Sequence, residues 1–261
     1  MNKTQIIKLY TQDQRIDVEY PDTRREVLPN LVRHIGHEAN GEGAVIYSRL
    51  NESNVEETIR QQVAYFASIG QDFEWKVFDY DTPPDLKERL AAHSFEIEAE
   101  EAIMVLDLAD LPDVLLRAVP DYVRRITAPE KIADVMSVEE QVWHTDYGWL
   151  GHYLTETITH FPELMSVYVA YLDGQPVSAA WIYYPKASRF ASLWGGSTLE
   201  SYRGRGLYTA LLAIRAQEAR TRQVGYLTVD ASPMSRPILE KFGFEMIAYS
   251  YPCKWKNRSS I

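Results

Sequence analysis

Residues 199–212 read LESYRGRGLYTALL, with Arg203, Gly204, Arg205 and Gly206 standing between an apolar run and an apolar, helix-like stretch. A strand that passes through a glycine-rich turn into a helix leaves several backbone N–H groups unpaired and aimed at one spot, reinforced by the positive end of the helix dipole. Such a spot attracts phosphate. Gly204 and Gly206 let the chain turn with its amides exposed, while Arg203 and Arg205 add positive charge. Alone, a G-x-G pattern also describes a solvated turn whose arginines keep it soluble, so the surrounding elements must decide.

From residue 122 onward those elements are readable. DYVRRIT, residues 121–127, alternates like a short strand, and PEKIADVMSVEEQVW follows with proline at a helix start and apolar residues at helical spacing. A second helix runs through YGWLGHYLTETITHF. MSVYVAYL and VSAAWIYY are strands joined by DGQP, in which Asp-Gly is a hairpin signal. RFASLWGGSTL is a further strand, with Gly195 and Gly196 marking a bulge or a close backbone approach. The quoted loop then opens a helix of about four turns; Gly225, the strand YLTVD, a short helix MSRPILEKF and a last strand from Phe244 follow. The order is β-α-α-β-β-β-α-β-α-β.

The first hundred residues hold a faint copy of this pattern. DTPPDLKERLAAHSFEI from Asp81 aligns without a gap under DASPMSRPILEKFGFEM from Asp230, with five of seventeen positions identical. The same offset brings GAVIYSRL under SLWGGSTL, so the halves read as related folding units. At the loop, however, the first half reads NESNVEE, without glycine or arginine, so any anion site is lost there. DLADLPDVLLRAVP, with Pro112 and Pro120, is the expected linker. The reading is a first domain over 1–108, a linker over 109–120 and a second domain over 121–261.

Composition narrows the partners. At 261 residues and 46% hydrophobic, the chain is ordinary for one large or two ordinary domains. Its formal charge of −10 weighs against nucleic acid and suits cationic small molecules. The start lacks the apolar core of a signal peptide, and no segment approaches the length of a membrane span, so a cytoplasmic protein without a membrane partner is expected. Cys253 is the only cysteine and reads as a strand residue. His152 and His160 show no metal spacing with a third ligand, so no metal is expected.

The element order, the YRGRG turn after a bulged strand and the closing ILEKFGF together resemble the GNAT superfamily of acyl-CoA-dependent N-acyltransferases. The resemblance is strong over about residues 121–258 and faint over 1–108, as in a tandem arrangement with a degenerate first copy. It implies an α/β (α+β) fold, a mixed, mostly antiparallel central sheet flanked by helices, and acetyl-CoA as the acyl donor. The family's pyrophosphate loop, Gln/Arg-x-x-Gly-x-Gly/Ala, falls on Arg203, Gly206 and Tyr208; the first two match and Tyr208 departs. The resemblance assigns Arg203, Gly204, Arg205, Gly206, Leu207, Tyr208 and Thr209 to the pyrophosphate. It places Ser197, Thr198 and Leu199 along the pantetheine arm, with Ser235 as a further contact. The tyrosine by which many members protonate the leaving thiolate falls on Leu239, which leaves three readings. Another residue substitutes, with Tyr208, Ser232 and Ser235 near enough in the family's layout; the thiolate leaves unassisted with water as proton source; or the site binds acyl-CoA without turning over.

On the acceptor side the resemblance points to VWHTDYGWLGHYLTE, which carries His144, Asp146, Tyr147, Trp149 and Glu156. An aromatic box with acids suits a cationic amine, with an acid or histidine taking its proton. The alternative puts Trp143, Trp149 and Tyr153 in the core, with His144 and Asp146 capping the helix junction. Trp181, Tyr183 and Trp194 read as packing. The expected activity is transfer of an acetyl group from acetyl-CoA to a primary amine of a small molecule by direct attack in a ternary complex. The rival is an inactive acyl-CoA-binding sensor or scaffold. Homodimer formation is left open.

Overall fold

The computed structural model describes residues 2–37 and 41–257. The chain divides into two compact units, Met1–Met104 with Asp230–Pro237 and Met246–Ile261, and Val105–Val229 with Ile238–Glu245.

In the first unit, α1 (Lys3–Tyr10) starts on a capping box in which Asn2 Oδ1 accepts from the Gln5 amide at 3.0 Å and the Gln5 side chain accepts from Asn2. It continues into a π-helical turn, Thr11–Ile16. Next come β1 (Thr23–Leu28), β2 (Leu31–Gly36), β3 (Gly43–Ser48), α2 (Val55–Ser68), β4 (Phe73–Phe78), α3 (Leu86–Ala92), β5 (Glu96–Ile97) and β6 (Glu101–Asp107). β1, β2 and β3 pair antiparallel and β3 pairs parallel with β4. α2 buries Ile59 and Phe66 in a core with Phe73, Trp75, Phe95 and Cys253, where Phe66 and Phe73 stack at 4.2 Å.

Two buried polar groups in this unit carry large energies. Arg15, on the π-helical turn, forms a two-pronged salt bridge with Asp81 at 2.8 and 2.7 Å, donates to the Ile46 carbonyl, and lies 3.8 Å over the Phe78 ring. His34 on β2 is buried, its Nδ1 sharing a hydrogen bond with Thr23 Oγ1 at 2.8 Å and its Nε2 without a partner. Burial, with the nearby Arg25 charge, pushes the His34 imidazole from 6.5 down to about 4. Between those values the unfolded chain takes up a proton that the fold refuses. The His34 contribution to stability is therefore complete above about pH 6.5 and is lost as the pH falls toward 4, a loss of about 3 kcal/mol. Unfolding midpoints measured from pH 7 to pH 4.5 should show His34→Gln losing less stability over this range than wild type; equal slopes would contradict the assignment.

The second unit opens with α4 (Asp113–Leu116), whose Leu115 is buried and whose carbonyl accepts from Gln217 at 2.7 Å. Then follow β7 (Val123–Ile126), α5 (Ile132–Trp143), α6 (Gly148–His160), β8 (Met165–Leu172), β9 (Gln175–Tyr183), β10 (Phe190–Thr198), α7 (Leu207–Thr221), β11 (Tyr226–Ala231) and α8 (Arg236–Glu240). β12 (Glu245–Trp255) ends the chain and pairs antiparallel with β4, so it belongs to the first unit's sheet. β7 through β10 pair antiparallel and β10 pairs parallel with β11. This is the pattern of β1 through β4 again, and it gives the faint sequence repeat a structural counterpart. The Asp-Gly hairpin forms as expected, with Asp173 at φ 50° and Gly174 at φ 77°. α5 packs against β9 and β10, and α7 against β8, β9 and β10. The fold is thus the mixed, mostly antiparallel sheet with flanking helices.

Candidate active site

The site begins where β10 stops being regular. Its antiparallel partners on β9 run Gly195↔Ala180 and then Ser197↔Ala179, so Gly196 is left out of the ladder. Gly195 and Gly196 adopt φ of 67° and 89°. A Cβ on Gly195 would lie 2.5 Å from the Trp181 ring, and one on Gly196 would lie 3.0 Å from the Tyr208 ring. Two side chains thus crowd onto the bare backbone, which is why both residues are glycine. On the other edge, parallel pairing with β11 covers only Phe190 to Ser192, so the strands part before the bulge. Buried Arg215 on α7 fastens this point, donating Nη1 to the carbonyls of Trp181 and Trp194 at 3.2 Å each. Burial pushes its guanidinium down to about 10.

Beyond the bulge, Leu199 returns its N–H to the Val177 carbonyl at 3.0 Å. A short 3-10 turn, Glu200–Tyr202, leads into the loop. Gly206 is the N-cap of α7 at φ 77°, with no side-chain cap and no acid in the first turn. The first backbone bond of the helix is Ala210 N–H to the Gly206 carbonyl, leaving the amides of Leu207, Tyr208 and Thr209 at the helix mouth. Nothing lies within 4 Å of a Cβ built on Gly204 or Gly206. Arg203 and Arg205 are exposed; Arg203 Nε donates to the Thr198 carbonyl at 3.3 Å, and Arg205 stands 5.0 Å over the Tyr202 ring. Arg203 through Thr209, the residues expected at the pyrophosphate, thus bring free helix-mouth amides and two exposed guanidinium groups to one turn, with open space over Gly204 and Gly206 that leaves room for a phosphate. Tyr208 does not fill it. Its ring packs against Gly196 and lies 6.2 Å from Phe242, and burial raises its phenol above the usual value.

In the first unit the corresponding helix, α2, has Glu56 and Glu57 in its first turn, with Glu56 tied to Arg89 and His93. That helix mouth repels an anion.

Sequence reasoning missed Glu139. It lies on the buried face of α5 with Ile132, Val135 and Val138. Its Oε2 accepts from Ser197 Oγ at 2.9 Å and from Trp143 Nε1 at 3.1 Å, while the indole also reaches Ser197 Oγ at 3.0 Å. Glu139 is only 3% exposed, and its Oε1 has no hydrogen-bond partner. Burial raises its carboxyl pKa, against the two hydrogen bonds that lower it. Ser197 is thus held by side-chain bonds, and its carbonyl accepts from Ser178 Oγ at 2.7 Å. Ser178 Oγ also pairs with Thr198 Oγ1 at 2.8 Å.

Helix ends and exposed faces hold most of the other expected residues. His144 is exposed in the left-handed region at the end of α5, and exposed Asp146 accepts from the Gly148 amide at 2.8 Å at the start of α6. Both make the bonds of helix ends. Trp143 and Trp149 are not core: they are 52% and 68% exposed, and Trp149 meets Tyr147 edge-on at 6.4 Å. Trp194, expected to pack, is 48% exposed, whereas Trp181 and Tyr183 are buried. Ser232 and Ser235 belong to the first unit, where their hydroxyls lie 3.2 Å apart ahead of α8. Leu239 is buried and offers no proton.

Residues 133–254 match the family model described as "Acetyltransferase (GNAT) domain". No curated protein matches the sequence significantly. Solved structures share the fold at low identity. A GCN5-related N-acetyltransferase from Kribbella flavida is 15% identical, with 97% of this chain and 93% of that one covered at a TM-score of 0.66. A conserved protein of unknown function from Staphylococcus epidermidis is 15% identical over 91% and 96% of the chains, at 0.67. A tandem GNAT protein from the clavulanic acid biosynthesis pathway is 14% identical over 94% and 86%, at 0.58.

Proposed function

From the premise that the chain carries a GNAT acyltransferase domain over residues 133–254, we propose that it transfers an acetyl group from acetyl-CoA to a primary amine of a small molecule, by direct attack in a ternary complex. The observation that carries this reading is the uncapped, acid-free N-terminus of α7, set behind Arg203 and directly after a bulged strand that has parted from β11. The cradle of Arg203 to Thr209 holds the pyrophosphate through backbone amides and charge. The free edge of β10 beyond Ser192 takes the pantetheine arm, and the bulge at Gly195 and Gly196 supplies amide donors for the thioester oxygen as it gains negative charge. We assign the leaving thiolate's proton to Tyr208, whose ring lies against Gly196 and whose phenol stays protonated at neutral pH; Leu239 does not provide one.

Calorimetric titration with acetyl-CoA and CoA, followed by a free-thiol assay against a panel of primary amines, tests the reading. Binding with amine-dependent thiol release is expected; no acetyl-CoA binding overturns it. Tyr208→Phe should bind acetyl-CoA as wild type does and release thiol roughly tenfold more slowly. An unchanged rate would remove Tyr208 from the proton path.

A further inference from the structure

Glu139 is an acid with one oxygen spoken for and one oxygen idle. Oε2 receives both the Ser197 hydroxyl and the Trp143 indole N–H, while Oε1 is buried without a partner. A buried, unsatisfied carboxylate oxygen is costly unless something completes it. The groups facing it are neutral: Ser197 on β10 and Trp143 on its own helix. It has therefore no resident counter-ion in its hydrogen bonds.

The surroundings indicate what would complete it. Trp194 and Ser197 stand two ladder steps apart, because Gly196 is omitted, so they share one face of β10. Ser197 meets Trp143 on that face. Trp143 and Trp194 are each about half exposed, at 52% and 48%, and Gly195 beside Trp194 is exposed too. An indole face attracts an ammonium and not a neutral alcohol. The Trp143 indole, half exposed and bonded to both Glu139 and Ser197, is the open aromatic face beside the unfilled carboxylate, while Trp194 turns its own N–H to Ser192 Oγ at 3.0 Å. Together with the bulge where the acyl carbon is expected, Trp143 and Glu139 form a receptor for a protonated amine.

We propose that the acceptor is an alkylammonium received against the open Trp143 indole at this bulge, and that Glu139 takes the proton that must leave its nitrogen before attack. This rests on the acetyl-transfer reading above. The ammonium gives one proton to Glu139 and becomes a neutral amine. Its lone pair forms the C–N bond, the C–S bond breaks with its electron pair passing to the CoA sulfur, and the second nitrogen proton ends on that thiolate. Glu139 returns its proton to solvent. Atoms and charge balance: ammonium and acetyl-CoA give amide, CoA thiol and one proton.

The test compares two amines that differ in protonation. n-Butylamine is an ammonium at pH 7, whereas 2,2,2-trifluoroethylamine is largely neutral there and has no proton to remove before attack. With acetyl-CoA saturating, Glu139→Gln should slow thiol release from n-butylamine by roughly a hundredfold and from trifluoroethylamine by less than about threefold. Equal losses with both amines would mean that Glu139 only supports the fold, and would overturn the proposal. So would absence of release from n-butylamine by wild-type protein with acetyl-CoA bound. A second measurement does not depend on the donor: indole fluorescence titrated with n-butylammonium chloride should saturate, and titration with n-butanol should not. Trp143→Phe should weaken the ammonium response roughly fivefold. If acetyl-CoA fails to bind while this titration saturates, the donor reading falls and the ammonium site stands. If acetyl-CoA binds and n-butylammonium does not, the site falls and the donor reading stands.

Discussion

Arg203→Glu is expected to reduce acetyl-CoA affinity by at least roughly a hundredfold, the equivalent of about 3 kcal/mol, while leaving the thermal midpoint within a degree or two of wild type. The side chain is exposed and its bond within the fold is to the Thr198 carbonyl at 3.3 Å, so little packing is lost. What changes is the cradle. The α7 N-terminus has no acid of its own, and a glutamate at its mouth would satisfy the amides that an incoming pyrophosphate needs and repel the phosphate charge. Arg203→Lys should retain most of the affinity, because the charge survives and only the fork geometry is lost. Calorimetry of the three proteins decides the matter; wild-type affinity in Arg203→Glu would remove the loop from the donor site.

Asp81→Asn should destabilise the first unit by about 3–5 kcal/mol. Arg15 and Asp81 have side chains 2% and 3% exposed, and they meet through two nearly parallel hydrogen bonds. Asp81 also accepts from the Phe78 amide at 3.0 Å. The asparagine keeps the shape but leaves Arg15 charged, buried and without its counter-charge, with only carbonyl and aromatic contacts to hold it. Because domain stabilities are themselves about 5–15 kcal/mol, this single atom exchange should bring the denaturant midpoint down steeply. Replacing both partners by apolar residues, Arg15→Met with Asp81→Leu, should recover much of the loss, since no lone charge remains. A double variant no more stable than Asp81→Asn would show that the pair contributes through its hydrogen bonds to the backbone and not through charge balance.

The second unit was legible because its signals are local. The Asp-Gly turn, the proline before α5 and the glycine pair on β10 each fix their own backbone, and the structure realises each of them. The loop before α7 was readable for the same reason, since a helix mouth is determined by the residues within one turn of it. Glu139 was not readable in that way. In SVEEQVW it looks like one more acid on a solvated helix face, and its burial is imposed by Ser197, 58 residues away. One signal existed: it falls four residues after Val135 and seven after Ile132, on the stripe that α5 buries. The tryptophans misled in the opposite direction. An indole in a helix or strand is usually buried for its area, but Trp143, Trp149 and Trp194 stand open because the chain around them leaves that face uncovered.

The pairing of β12 with β4 has a consequence for how the molecule is made. The register joins Ser250–Trp255 to Phe73–Phe78, so the sheet begun by residues 23–78 is completed only by a strand made after the whole second unit. Until β12 has been made, β4 presents an unpaired edge, the kind of strand edge that recruits other chains. Nascent chains and C-terminal truncations of this protein should therefore be the forms that aggregate. A fragment cut near residue 108 would lack the strand that covers β4, and supplying residues 245–257 as a peptide should improve its solubility.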